Sequence, residues 1–252
     1  MSLDISHILN DWPHRPGQVT ARRILGGDGR EKIQLRLDMG VLQMEAVGRP
    51  DGQRPHGHDN LLTYHEHRLR DHREEHGSDE GFSLDEADCE LLRNEAVMYY
   101  HRYLAEFVLG DYESVQRDTL RNLRAMDFCR KHAQEESDRF ILEQYRPYIL
   151  MMCTRARGQL ALKDSRPKAA LTAVRKGIGQ IESFYERFGE KNMIGRSGEI
   201  AILRALEKEI EAKIPVDPIQ KLREQLANAV EAEQYERAAE IRDRLRQVSK
   251  EG

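Results

Sequence analysis

Between residues 83 and 214 apolar positions recur every three or four residues, a spacing that predicts one helix after another. Leu91, Leu92, Glu95, Ala96, Met98, Tyr99, Tyr103 and Phe107 make a first broad stripe, interrupted at Gly110-Asp111-Tyr112-Glu113. Val115, Leu120, Leu123, Met126 and Phe128 make a second. A third helix runs through Phe140, Ile141, Tyr145, Ile149 and Met152, with Pro147 as a kink or entry point. Ser165-Arg166-Pro167 opens a fourth, which Phe188-Gly189 closes with glycine at the C-cap. Ile200, Leu203, Leu206 and Ile210 share one face of a fifth. Ser83 and Glu86 have the spacing of a capping box at the start of the series.

Ahead of residue 59 the period changes to two. Ile33-Gln34-Leu35-Arg36-Leu37-Asp38 alternates, and after a turn at Met39-Gly40 the alternation resumes with Leu42, Met44 and Ala46. This predicts an antiparallel hairpin with one buried face, to which Val19 to Leu25 adds a third strand and under which Trp12 packs. The Pro- and Gly-rich loop from Gly48 to Gly57 reads as a stiffened exposed turn, either a binding edge or a lead from sheet to helix.

The last stretch has its own logic. Ile219, Leu222, Leu226 and Val230 share one helix face, and Ala238, Ile241, Leu245 and Val248 share another. Asp217 is placed to cap the first arm, and Pro218 stands at its first helical position, where a missing N–H costs nothing. Glu233-Gln234-Tyr235-Glu236 is too polar to continue either stripe, and Ala229, Ala238 and Ala239 would let two backbones approach at a bend. Two amphipathic helices this short are marginal alone, so the seam calls for a partner. Pro215-Val216-Asp217-Pro218 predicts a stiff hinge before it.

The run Asp217-Pro218-Ile219-x-x-Leu222, continuing through Ala232-Glu233-x-Tyr235-Glu236-x-Ala238-Ala239-x-Ile241-Arg242-Asp243-x-Leu245, resembles the UVR motif, the hairpin through which the excision-repair proteins UvrB and UvrC recognise each other. Related hairpins occur in stress regulators of the arginine-kinase activator type, so the resemblance implies pairing without implying DNA repair. It assigns partner binding to Leu222, Leu226, Val230, Tyr235, Ala238, Ile241 and Leu245. The breaks at Gly110-x-Tyr112 and Ser165-x-Pro167 are similar to the turns inside tetratricopeptide repeats, although they lie 55 residues apart where that family repeats every ~34. A stack of that kind implies a concave surface for a peptide or protein.

Composition narrows the function. A formal net charge of -4 argues against nucleic acid as the main partner, and no apolar run approaches the ~20 residues that span a bilayer. Nothing near Met1 has the basic-then-apolar pattern of an export signal. Cys89, Cys129 and Cys153 fall in apolar helical contexts and read as core thiols in a reducing cytoplasm. His56, His58, His65, His67, His72 and His76 crowd a charged connector helix and the turn just before it, yet Leu69 stands where a second histidine would complete H-E-x-x-H, so no metal is assigned. Phosphate-loop, nucleophile-elbow and dinucleotide motifs are missing, which assigns no catalysis and no cofactor.

The expected fold is mainly α: a tetratricopeptide-like antiparallel helical stack with a small N-terminal antiparallel β-meander and a C-terminal helical hairpin. The expected divisions are a β-meander at 1–58, a connector helix at 59–82, a repeat-like domain at 83–214 and the hairpin at 217–249. The expected function is that of a cytoplasmic bacterial adaptor that pairs with a protein bearing a similar hairpin, or with a second copy. The alternative is a nucleic-acid-associated factor in excision repair or translation that contacts phosphate through Arg22, Arg23, Arg36, Arg49 and Arg54.

Overall fold

Alternation before residue 46 folds into three antiparallel strands, β1 (Thr20–Leu25), β2 (Glu31–Arg36) and β3 (Val41–Glu45), in the order β1-β2-β3. The computed structural model describes residues 4–214 and 218–251. Register follows the pattern, with Ile33 opposite Met44 and Leu35 opposite Leu42. These residues bury one face of the sheet together with Ala46 and Ala105. The expectation of a single buried face is corrected by the other side of β2, where Lys32, Gln34 and Arg36 are buried as well. There a polar ladder replaces solvent: Arg22 Nε donates to Gln34 at 2.7 Å, and Gln34 donates to Gln43 at 2.9 Å. Trp12 lies over this polar face, 4.4 Å from the Arg22 guanidinium, and its carbonyl accepts from Arg36 Nε at 2.6 Å. It does not fill the apolar side, because an indole beside a half-buried guanidinium gains both stacking and exclusion of water.

A short helix α1 (Ser6–Asn10) precedes the sheet, and α2 (Leu61–His76) follows it. Asn60 caps α2 by accepting from Thr63 N at 3.0 Å. The connector is no solvated rod: Leu61, Leu62 and Leu69 enter one core with Leu84, Cys89, Leu92, Ala125, Phe128 and Cys129. His65 is 1% exposed in that setting. Burial drives its pKa down to about 4 against the opposing pull of Asp88, with Arg68 adding to the fall. The unfolded chain takes up this proton at a pH where the folded chain still resists it, so stability is full above ~6.5 and is lost as pH falls toward ~4, by up to about 3 kcal/mol. Acid denaturation of His65→Gln should show a shallower decline across that window.

Four long helices form the body: α3 (Glu86–Val108), α4 (Tyr112–His132), α6 (Arg146–Lys163) and α7 (Pro167–Arg187), with the short α5 (Glu136–Phe140) before α6. Short connections fold α4 back on α3 and α7 back on α6. The capping box is corrected: Asp85, not Ser83, accepts from Asp88 N at 2.8 Å, while Ser83 Oγ accepts from Gln134 at 2.9 Å. Leu84 instead pairs its backbone with the far end of α4, its N–H donating to His132 O at 2.8 Å and its carbonyl accepting from Gln134 N at 3.0 Å. Pro147 is an entry point, at the first turn of α6, and Phe140, Ile141 and Tyr145 lie ahead of that helix and exposed. Gly177 lets α7 close on α6, since a Cβ there would collide with Thr154 Oγ1 and Cγ2.

The corners at Gly110 and Ser165 share one geometry. The residue at each has positive φ, 72° and 55°. The next N–H reaches back five residues, Asp111 to Glu106 O at 3.0 Å and Arg166 to Ala161 O at 2.8 Å, as a Schellman closure requires. After α8 (Lys191–Ile194), α9 (Gly198–Lys213) buries Ile200, Leu203, Leu206 and Ile210, and α10 (Pro218–Glu231) and α11 (Tyr235–Glu251) follow. The chain divides into two compact units, Met1–Glu207 and Lys208–Gly252. Sheet, connector and helical body therefore belong to one unit, with Ala105 of α3 lying in the sheet's own core.

Candidate interaction site

The polar stretch after Val230 becomes a corner of the same Schellman type between α10 and α11: Glu233 N donates to Val230 O at 3.1 Å and Gln234 N to Ala229 O at 2.8 Å. Glu233 adopts φ 57°, a conformation that suits glycine. Glu233→Gly should stabilise the hairpin by about 1 kcal/mol, read as a rise in its melting temperature.

Facing sides of the arms meet along a narrow core. Ala229, Ala238 and Ile241 are buried in it, and Leu222, Leu226 and Leu245 pack against them half-buried. Ala229 and Ala238 stand where larger side chains would hold the helices apart, which is the use the sequence suggested for them. Five of the seven residues assigned to partner binding thus meet first across their own hairpin. Val230 and Tyr235, at the bend, are 52% and 68% exposed. The N-cap expected of Asp217 and the hinge at 215–217 lie outside the described residues, as do the side chains of Ile219 and Val248.

This geometry, two arms joined at a tight corner and closed on small residues with leucines left half-covered, coincides with the match of residues 217–251 to the family model of the UvrB/uvrC motif. The C-terminal hairpin is a UVR motif. Comparison with curated proteins and with solved structures gives no match for the chain. What the UVR hairpin offers chemically is apolar surface: among the described residues Leu222, Leu226 and Leu245 stay half-buried beside Ala229, Ala238 and Ile241, and further burial of such surface is worth ~25 cal/mol per Å².

The five arginines of the alternative reading do not converge on a free patch. Arg22 is spent on Gln34 and Trp12. Arg23 pairs with Glu31 and Asp111, both at 2.5 Å. Arg36 is buried among backbone carbonyls, Arg49 lies 3.2 Å from Asp51 and 3.3 Å from Glu95, and Arg54 pairs with Asp59 at 2.9 Å. A guanidinium already held by its own chain must give up that partner before taking a phosphate. The Gly48 to Gly57 loop is likewise anchored, since Arg102 Nη1 donates to Gly48 O at 2.7 Å.

Other candidate chemistry is dispersed. Among the described residues no group of three His, Cys, Asp or Glu side chains could hold a metal ion, and no helix is long and apolar enough to cross a membrane. His72 and His76 stack at 4.3 Å, and His58 meets His67 edge-on at 4.6 Å. The sequence reading passed over Arg102, Glu106 and Asp118, a buried charge cluster that only the packing of α3 on α4 brings together. Charged residues spaced along two separate helices gave no signal of burial in one dimension.

Proposed function

We propose that the chain is a non-catalytic adaptor or regulator of the bacterial cytoplasm that pairs through its UVR hairpin with a protein carrying a similar hairpin, or with a second copy of itself. The observation that carries this reading is the unfinished core: a hairpin of recognised pairing type keeps Leu222, Leu226 and Leu245 half-covered after its own arms have closed. A partner hairpin would complete that core as one helix pair completes another in a bundle. The helical body, with corners of one kind at Gly110 and Ser165, supports a scaffold of tetratricopeptide-type pairs of unusual length.

Truncation after Lys213 tests the proposal. The shortened chain is expected to keep the helical circular dichroism of the larger unit and to lose its association in sedimentation velocity and in pull-downs. Association that survives the truncation unchanged would place the interface elsewhere.

A further inference from the structure

A groove of about 560 Å³ runs between α3 and α4 and the start of α6, with Glu199 of α9 on its wall. Its size falls within the range of ligand sites, and tyrosine is the commonest residue of its lining: Tyr100, Tyr145 and Tyr148 together with the buried Tyr103. Tyr100 meets Tyr103 edge-on at 5.6 Å and lies 6.1 Å from Tyr148. Aromatic faces carry the negative side of a quadrupole and attract cations.

Charge points the same way. Besides the phenols, the lining holds three ionisable groups, Arg93, His101 and Glu199. Arg93 is neutralised by Asp138, its ion-pair partner. Burial lowers the pKa of His101 below 6.5, which keeps the imidazole uncharged near pH 7. Glu199 accepts a hydrogen bond from Ser197 Oγ at 2.8 Å and has no ion pair among the described residues. A carboxylate without a cation among the described residues thus shares a cavity with three accessible tyrosines, Tyr100, Tyr145 and Tyr148. At the rim, Val97 and Tyr145 are 51% and 55% exposed, an apolar margin that a free small cation would leave uncovered and a chain segment would cover.

We propose that this groove binds a peptide segment of a partner protein through an arginine side chain, its guanidinium lying on the tyrosine faces and reaching the Glu199 carboxylate. Arginine suits the site better than lysine because a planar guanidinium stacks on a ring while its edge donates to a carboxylate. The site is independent of the UVR hairpin, so either assignment can fail without the other.

The test is an NMR titration of the full chain with an acetylated Leu-Arg-Leu tripeptide amide, its citrulline counterpart and N-acetylarginine amide. Citrulline keeps the shape of arginine and removes the charge. Binding of the arginine peptide should shift the methyl signals of Val97, Met126 and Ile149, with affinity about tenfold above that of the citrulline peptide. Glu199→Gln, which preserves the Ser197 contact, should shrink that ratio to about threefold, and Tyr145→Ala, at an exposed position, should weaken both peptides. Equal affinity for arginine and citrulline peptides, or no shifts at these methyls, would overturn the proposal. N-acetylarginine amide binding as tightly as the tripeptide would also overturn it, by assigning the groove to a free cation.

Discussion

Replacing Asp118 with asparagine should cost the Met1–Glu207 unit about 3–5 kcal/mol, the penalty of leaving a buried charge without its partner. Asp118 and Arg102 are each 1% exposed, and the guanidinium meets both carboxylate oxygens, Nε at 2.7 Å and Nη2 at 3.0 Å. The remaining nitrogen, Nη1, donates to Glu45 O at 3.0 Å and Gly48 O at 2.7 Å. One side chain thereby joins α3, α4 and the end of β3, so weakening it loosens the seat of the sheet as well as a helix pair. Urea denaturation followed by the fluorescence of Trp12, which sits on the sheet, reads the effect directly. Glu106 is the residue placed to soften it, 3.7 Å from Arg102. Its pKa is pushed up to about 8 by burial, with the Asp118 carboxylate adding to the rise. Without that neighbouring charge Glu106 should ionise more readily and take over part of the pairing. Replacing Arg102 with methionine in the same variant should recover part of the loss, since no buried cation is then left over. A destabilisation under about 1 kcal/mol for Asp118→Asn alone would show that the cluster redistributes its charge freely.

Ile241→Asp is the second large effect. Ile241 is 9% exposed and, among the described residues, shares its core with Ala229, Ala238 and three half-buried leucines. A core this small supplies no more than about 3–5 kcal/mol, while a carboxylate buried there costs several. The hairpin should therefore unfold. Helical circular dichroism should fall by the contribution of α10 and α11, association in sedimentation velocity should disappear, and the urea transition of the larger unit should stay in place. Tyr235→Ala makes the contrast: at 68% exposure the ring does not hold the arms together, so the variant should remain folded, and any loss of association would put the bend inside the interface. An Ile241→Asp chain that still associates would sink the pairing proposal.

The elements with regular spacing were legible. Ile33, Leu35, Leu42 and Met44 announce their strands because alternation has one structural meaning, and the corners at Gly110 and Ser165 stand out because a stripe stops and restarts. The UVR hairpin was legible for a stronger reason, in that cap, stripe and small residues occur at fixed offsets within one short run. The sequence did not show which surface each stripe would meet. The seam of Leu222, Leu226, Ala238, Ile241 and Leu245 looks the same in one dimension whether it faces a sister arm or another protein. The arginines misled similarly: Arg22 and Arg36 alternate outward from an apolar face, and only the fold reveals a second layer of glutamine, carbonyl and indole over them. Ser83 lost its cap to Asp85 because Leu84 is pulled into a bridge with the end of α4, a contact 49 residues away that no local rule contains.

The three half-covered leucines bear on how the chain behaves when diluted. Wherever completion of a core falls to another molecule, part of its folding free energy arrives from outside and varies with how much of that molecule is present. Melting of the Lys208–Gly252 unit should therefore move to lower temperature as the sample is thinned out, while that of Met1–Glu207 stays fixed. On the proposed pairing, abundance of either component sets the state of the tail.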